Sequence, residues 1–431
     1  ENPGTFSLLC SGIFIKIYTF KKGLLYIIMQ KKFILVCLIN FFIAALMGLA
    51  LRFSVIESIG LNYRFLTHAH SHVAMLGWVY LMLFTLIAHY FIPDKKPIYN
   101  RLFWLTEFAV VGMMLSFPIQ GYAAISISFS TLHIFCSYYF AYLIWKNHQT
   151  KSVVTKKLLK ASLLFMVLST LGVWCLGPAV SMLGQASAFY QIAIQFFLHF
   201  QFNGWFLIAV IAVFFHLLKV KDSKLFKSFF RLLIVSTILT FALPIQWFAP
   251  HQTLLFINTL GIFLQLVSLY LFLKLIKPTL LIHTRAQSKL VLYLYFFSVV
   301  CFILKTLFQA LTILPEFALV VFEHRNFVIG FIHLMMLGII SGFLFSFLLN
   351  PSLVRFTKSL YIGIFIFLLG FVLTEMLLLI QGCKFYFETG MLTNYYQLLF
   401  LFSMLLPLGI LFILINIIKT KTHENKTTKT T

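Results

Sequence analysis

LTHAHSHVAMLGWVYLMLFTLIAHYFIPDKKPIYNR, from Leu66 to Arg101, decides the fold. From Val73 to Ile92 it carries no acidic or basic residue apart from His89, and then it turns abruptly polar with Lys95, Lys96 and Arg101. An apolar run of about 20 residues is long enough to cross a bilayer as a helix. In lipid a helix is the open-chain form that satisfies its own backbone. The same figure, an apolar run closed by a short polar turn, recurs along the chain. It predicts spans at roughly 33–51, 70–92, 102–119, 123–144, 158–176, 190–218, 229–248, 253–275, 290–311, 327–348, 360–380 and 396–418. The expected fold is all-α: a polytopic membrane bundle of twelve transmembrane helices set in the lipid bilayer.

Composition agrees. The chain has 431 residues, of which 61% are hydrophobic and only 10% charged, against about 25% charged in soluble domains. The net charge of +23 would suit nucleic acid if it were gathered on one domain, but it is spread over short loops. Those loops alternate. The outside loops and the spans together hold only Arg52, Arg64, Lys305, Arg325 and Lys384. All other Lys and Arg fall on one side, which the positive-inside rule makes the cytoplasm. Both termini are therefore expected to be cytoplasmic, and no nucleic-acid partner is expected. Residues 1–28 read as an extension ahead of Met29, 29–418 as one membrane domain and 419–431 as a solvated cytoplasmic tail. The six cysteines form no CxxC pair, which points to small buried side chains rather than to a disulfide or covalent haem framework.

Histidine is costly in a bilayer and is a preferred ligand for iron and copper. His68, His70 and His72 crowd the start of span 2, His199 lies within span 6, and His324 and His333 flank the start of span 10. With span directions alternating, these six and His251 share one leaflet, the outer one. In YQIAIQFFLHFQFNGWF, residues Gln191, Gln195, His199 and Asn203 follow one another at intervals of four, which predicts a polar stripe on one helical face. In span 10, Asn326, Gly330, His333 and Ser341 share an arc, and in span 2 His70, Ala74 and Gly77 form a small-residue face. His68 and His72 have the i, i+4 spacing that can hold one metal ion. Lys305 and Glu375 lie in the outer halves of spans 9 and 11 and are read as a candidate ion pair or proton path. Glu107, near the inner side of span 3, reads as a snorkelling side chain. His133 reads as a core histidine.

Twelve spans with outer histidines in spans 2, 6 and 10 resemble the main subunit of the haem-copper oxidase superfamily, which includes terminal oxidases and bacterial nitric oxide reductases. The segment HAHSHVAMLGW also looks like the HAH motif of the NnrS-type family of haem- and copper-containing proteins. The resemblance implies a haem held by His333 with one of His70 and His72. It implies His199 as a span 6 copper ligand; His68, His251 and His324, in the same leaflet, are further metal candidates by position. It implies an oxidoreductase, if the protein is an enzyme, taking electrons from a quinol or a cytochrome in the bacterial inner membrane, in respiration or nitric oxide response. Span 7, RLLIVSTILTFALPIQWF, lacks the family's adjacent histidine pair, so oxidase-level oxygen reduction is not expected. The competing classes are a secondary transporter or a respiratory-complex assembly factor without haem. PDKKPIYN after span 2 carries no transporter signature, and the sequence shows no half-to-half repeat.

Overall fold

The computed structural model describes residues 30–93, 96–284, 288–349 and 354–420. Residues 1–28 and the tail beyond Thr420 lie outside them. Among the described residues there is no strand, and twelve helices are long and apolar enough to cross a membrane. This is a multi-pass membrane protein. The spans are Gln30–Phe53, Tyr63–Phe91, Pro97–Gln120, Ala124–Asn147, Val153–Leu183, Ala188–Leu217, Lys224–Phe248, Gln252–Pro278, Lys289–Leu311, Arg325–Leu348, Lys358–Tyr386 and Tyr395–Lys419, numbered 1 to 12.

Spans 2, 5 and 7 begin several residues before the apolar run, because capping side chains set the start. Asn62, Ser152, Ser187, Ser223, Ser288 and Thr357 each accept a hydrogen bond from the backbone N–H three residues on, which satisfies one of the donors a helix start leaves open. Span 2 therefore starts at Tyr63, and its histidines sit about one and a half to two and a half turns inside the helix rather than at its mouth. The connection between spans 9 and 10, expected as a loop, contains a short helix, Pro315–Glu323. Trp247 Nε1 donates to its Ala318 carbonyl at 3.0 Å.

Spans 2 and 6 are the most enclosed, with 78% and 83% of their apolar windows buried. They meet span 10 at the centre. Trp78 Nε1 donates to Ser341 Oγ at 2.9 Å, the Tyr80 and Trp205 rings lie 6.2 Å apart, and Phe214 and Phe343 lie 4.8 Å apart. Outer helices approach one another through glycine. A Cβ on Gly409 in span 12 would stand 2.6 Å from Phe367 N and 2.7 Å from the Gly363 carbonyl in span 11. Such backbone contact is how helices associate where lipid removes the hydrophobic drive. Gly77 belongs to the same class: its added Cβ would meet Asn40 of span 1 and Val110 of span 3, so it packs helices together and opens no slot beneath His70.

Glu107 does not snorkel. It is buried, and Asn40 Nδ2 donates to its Oε2 at 2.8 Å and to the Gly77 carbonyl at 3.2 Å. Asn40→Ala is expected to cost about 2 kcal/mol, because a buried carboxyl is left without its donor. Glu107→Gln in the Asn40→Ala background should recover part of that loss in a detergent unfolding titration; equal stability of the parent and Asn40→Ala would refute the assignment.

Candidate functional site

Lys31 Nζ at the start of span 1 donates to the Thr420 carbonyl, so the two described chain ends share one end of the bundle. The conspicuous histidines lie towards the other end. The structure sorts them into three wedges.

The first wedge lies between spans 1, 2, 10, 11 and 12. His70 turns towards span 1, and its Nδ1 is 2.8 Å from the Ala44 carbonyl. A carbonyl only accepts, so Nδ1 carries the proton and Nε2 presents a lone pair. The ring lies against Gly48, where an added Cβ would stand 2.9 Å from His70 Cε1; glycine is what lets the imidazole lie flat on span 1. Across the wedge, His333 Nδ1 is 3.4 Å from Glu375 Oε1. Neither Nε2 makes a hydrogen bond among the described residues. His333 lies near enough to act electrostatically on His70, and the Arg52 guanidinium acts on both, on Glu375 and on Tyr395. Asn326 Nδ2 donates to Tyr395 Oη at 2.8 Å, tying span 10 to span 12. Gly330 faces the same carboxylate: its Cβ would meet Glu375 Oε2 at 3.3 Å.

The second wedge lies between spans 2, 3 and 4. His72 Nδ1 donates to the His68 carbonyl at 2.8 Å. The His72 ring packs on Phe117 at 4.4 Å and the His68 ring on Tyr122 at 4.6 Å. His133 is buried, packs on the Tyr80 ring at 4.7 Å, and its Nε2 has no partner. Thus His70 parts company with His68 and His72, as a turn of about 100° per residue requires.

The third wedge lies between spans 6, 7, 9 and 10. His199 Nε2 donates to the Thr237 carbonyl at 2.7 Å, Asn203 Nδ2 donates to the His199 carbonyl at 3.3 Å, and Lys305 is buried close by. Gln191 instead reaches back to the Gln185 carbonyl at 2.9 Å, and Gln195 is half-buried with no hydrogen bond among the described residues. The four-residue stripe therefore does not run unbroken.

Beyond His199 the winding itself changes, a feature that no α-helical wheel contains. π-Helical segments start directly after His72, His199 and His333, at Val73–Tyr80, Phe200–Phe206 and Leu334–Ser341. Bonding from i to i+5 shifts the face presented below each histidine. In all three segments the fifth residue after the histidine is glycine: Gly77, Gly204 and Gly338. This recurrence, with the enclosed spans 2, 6 and 10 spaced four apart, is a threefold pattern that a search for two halves misses. His-x4-Gly was the available signal. Gly338 packs on Cys301 and Phe371 and Gly204 on Phe165, so all three glycines serve helix contact.

No family model matches the sequence, and no curated protein does.

Two expectations need correction. Glu375 pairs with His333 rather than with Lys305, whose Nζ has no hydrogen-bond partner among the described residues. The four metal candidates do not converge. His68 packs on Tyr122, His199 is held on Thr237, His251 is exposed where it accepts from Thr253 N, and His324 lies beside Phe385. Among the described residues, no three His, Cys, Asp or Glu gather closely enough to hold a metal ion. Arg52, Gly48 and Tyr395 were not anticipated as site residues. A lone arginine at the lysine-poor end of span 1 was the signal for the first.

Proposed function

We propose that this chain is a haem-binding protein of the bacterial inner membrane, with its described chain ends on the cytoplasmic side, related to haem-copper oxidase main subunits and acting in respiration or nitric oxide response. One observation carries the reading: His70 and His333 border one wedge, His70 with its Nδ1 held by the Ala44 carbonyl and His333 with its Nδ1 3.4 Å from Glu375 Oε1, and neither Nε2 makes a hydrogen bond among the described residues. A metal-bound imidazole characteristically donates its other nitrogen to a carbonyl or carboxylate, which fixes the ring and raises its basicity. The donor set present therefore fits a haem held between two imidazoles, and His70 and His333 would hold it. Bound there, haem would supply one-electron redox chemistry at a potential set by its axial ligands and surroundings.

The chain's own residues have defined tasks around that pair. The Ala44 carbonyl holds the His70 proton at Nδ1, and Gly48 permits the ring's position. Glu375, with Oε1 3.4 Å from His333 Nδ1, would orient that ring once the two close to a hydrogen bond. Arg52 supplies a positive charge to the same wedge. The electron donor in this reading is a quinol or a cytochrome.

An optical spectrum of the detergent-purified chain from a haem-sufficient host tests the proposal. A Soret band with the sharp α and β bands of a bis-imidazole haem on reduction is the expected result. A chain that folds but shows no Soret band, even after incubation with haemin, would defeat it.

A further inference from the structure

The third wedge holds a charge that the chain leaves unanswered. Lys305 is 0% exposed. Among the described residues its Nζ has neither a hydrogen-bond acceptor nor a carboxylate within ion-pair distance; its nearest compensation is the face of Phe331, 5.9 Å from the ring centre. That is the outer limit of a cation–π contact. An isolated ammonium out of water is among the costliest things a fold can bury, and a counter-ion from outside the chain would offset that cost. The one histidine in the wedge, His199, keeps a lone pair on Nδ1 and would suit a metal ion by itself. The Lys305 charge acts on that imidazole and opposes any second cation there.

The approach to Lys305 is polar. Gln309, one turn nearer the end of span 9, and Asn258, on the facing span 8, are buried, and their side-chain oxygens lack donors. Asn258 Nδ2 reaches the Thr312 carbonyl and hydroxyl at 3.5 Å, so its oxygen points elsewhere. Buried acceptors without protein donors are served by water. Water along Gln309 and Asn258 would make a lane from the end of the bundle down to the ammonium.

We propose that Lys305 is the charged floor of a binding site for a small monovalent inorganic anion, of halide or nitrite size, in the wedge with His199, and that this wedge does not hold copper. Desolvated and confined, the ammonium would gain more from one compact anion than from water alone, and its complete burial favours small monovalent anions over large or divalent ones. The inference does not depend on haem at His70 and His333.

The test is the thermal unfolding midpoint of the full chain in detergent, titrated with chloride or nitrite against gluconate at constant ionic strength. A saturable rise is expected for the small anions, about 3 °C at a hundredfold excess over Kd, with none for gluconate or sulfate. Lys305→Met should abolish the response while leaving the anion-free chain at least as stable, since no charge is then buried. Lys305→Arg should keep a response. If Lys305→Met fails to fold, Lys305→Gln serves as the same comparison. No anion-selective rise in the parent chain, an unchanged response in the uncharged variant, or stoichiometric copper that is lost in His199→Ala would each overturn the proposal. A missing Soret band would leave this result standing, so the two readings fail separately.

Discussion

His333→Ala and His70→Ala should each lower haem retention during purification by a factor on the order of 100 or more, while His72→Ala leaves it nearly unchanged. The asymmetry follows from direction. His70 faces the wedge that contains His333, Glu375 and Arg52, whereas His72 is turned onto Phe117 with its Nδ1 spent on the His68 carbonyl. Loss of an axial imidazole removes a metal–ligand bond. Loss of the group that orients it costs less, typically on the order of 10–100-fold in metal affinity. Glu375→Gln should fall in that smaller class, because Glu375 Oε1 lies 3.4 Å from His333 Nδ1 and would orient that ring. The ratio of Soret to protein absorbance across the four variants reads this directly. Equal, small losses in His70→Ala and His72→Ala would mean that neither ring meets iron.

A second large effect should come from Gly409→Leu, with a loss of about 3 kcal/mol or more, enough to disperse the purified protein into aggregates. The added side chain would have to enter space held by the backbone of span 11, the Phe367 nitrogen and the Gly363 carbonyl. Backbone cannot swing aside like a flexible side chain, so the helices must separate. Overpacking in a tight interior commonly costs about 1–3 kcal/mol when only side chains yield. Gly177→Ala is the matched control. An added Cβ there meets nothing within 4 Å, and alanine is the better helix former by about 1 kcal/mol. Size-exclusion profiles and unfolding midpoints should move in opposite directions for the two variants. A Gly409→Leu chain that elutes and unfolds like the parent would show that spans 11 and 12 are not in backbone contact.

Helix number and burial were legible in the sequence because a bilayer imposes one length and one polarity rule on every span. The alternation of Lys and Arg between loops carried the count even where span ends were off by several residues, as at Tyr63 and Val153, where the caps rather than the hydropathy set the start. The separation of His70 from His68 and His72 was legible too, since it needs only the helical turn. What their rings meet was not. Gly48 lies in another helix, and nothing local to HAHSH tells that a glycine 22 residues earlier makes room for an imidazole. The partner of Glu375 was misjudged for a related reason. Lys305 and Glu375 match in sign and depth, but depth fixes only one coordinate, and the two face different wedges around the bundle. The polar stripe in span 6 failed above His199, where Gln191 turns back to the Gln185 carbonyl, because counting by four assigns a shared face and not a shared partner; below His199 the winding also changes, at Phe200.

Those wide turns bear on how the chain tolerates change in length. A π turn is an α-helix holding one surplus residue. Deleting a residue between His72 and Gly77, or at the corresponding places in the other two inner helices, would let the winding close to ordinary α without rotating the segments on either side. The same deletion a few turns lower would twist everything below it by about 100° and drag the next loop with it. Each inner helix thus carries its slack at one spot, directly beneath its histidine, where the segment above can be re-aimed while the aromatic packing below keeps its place.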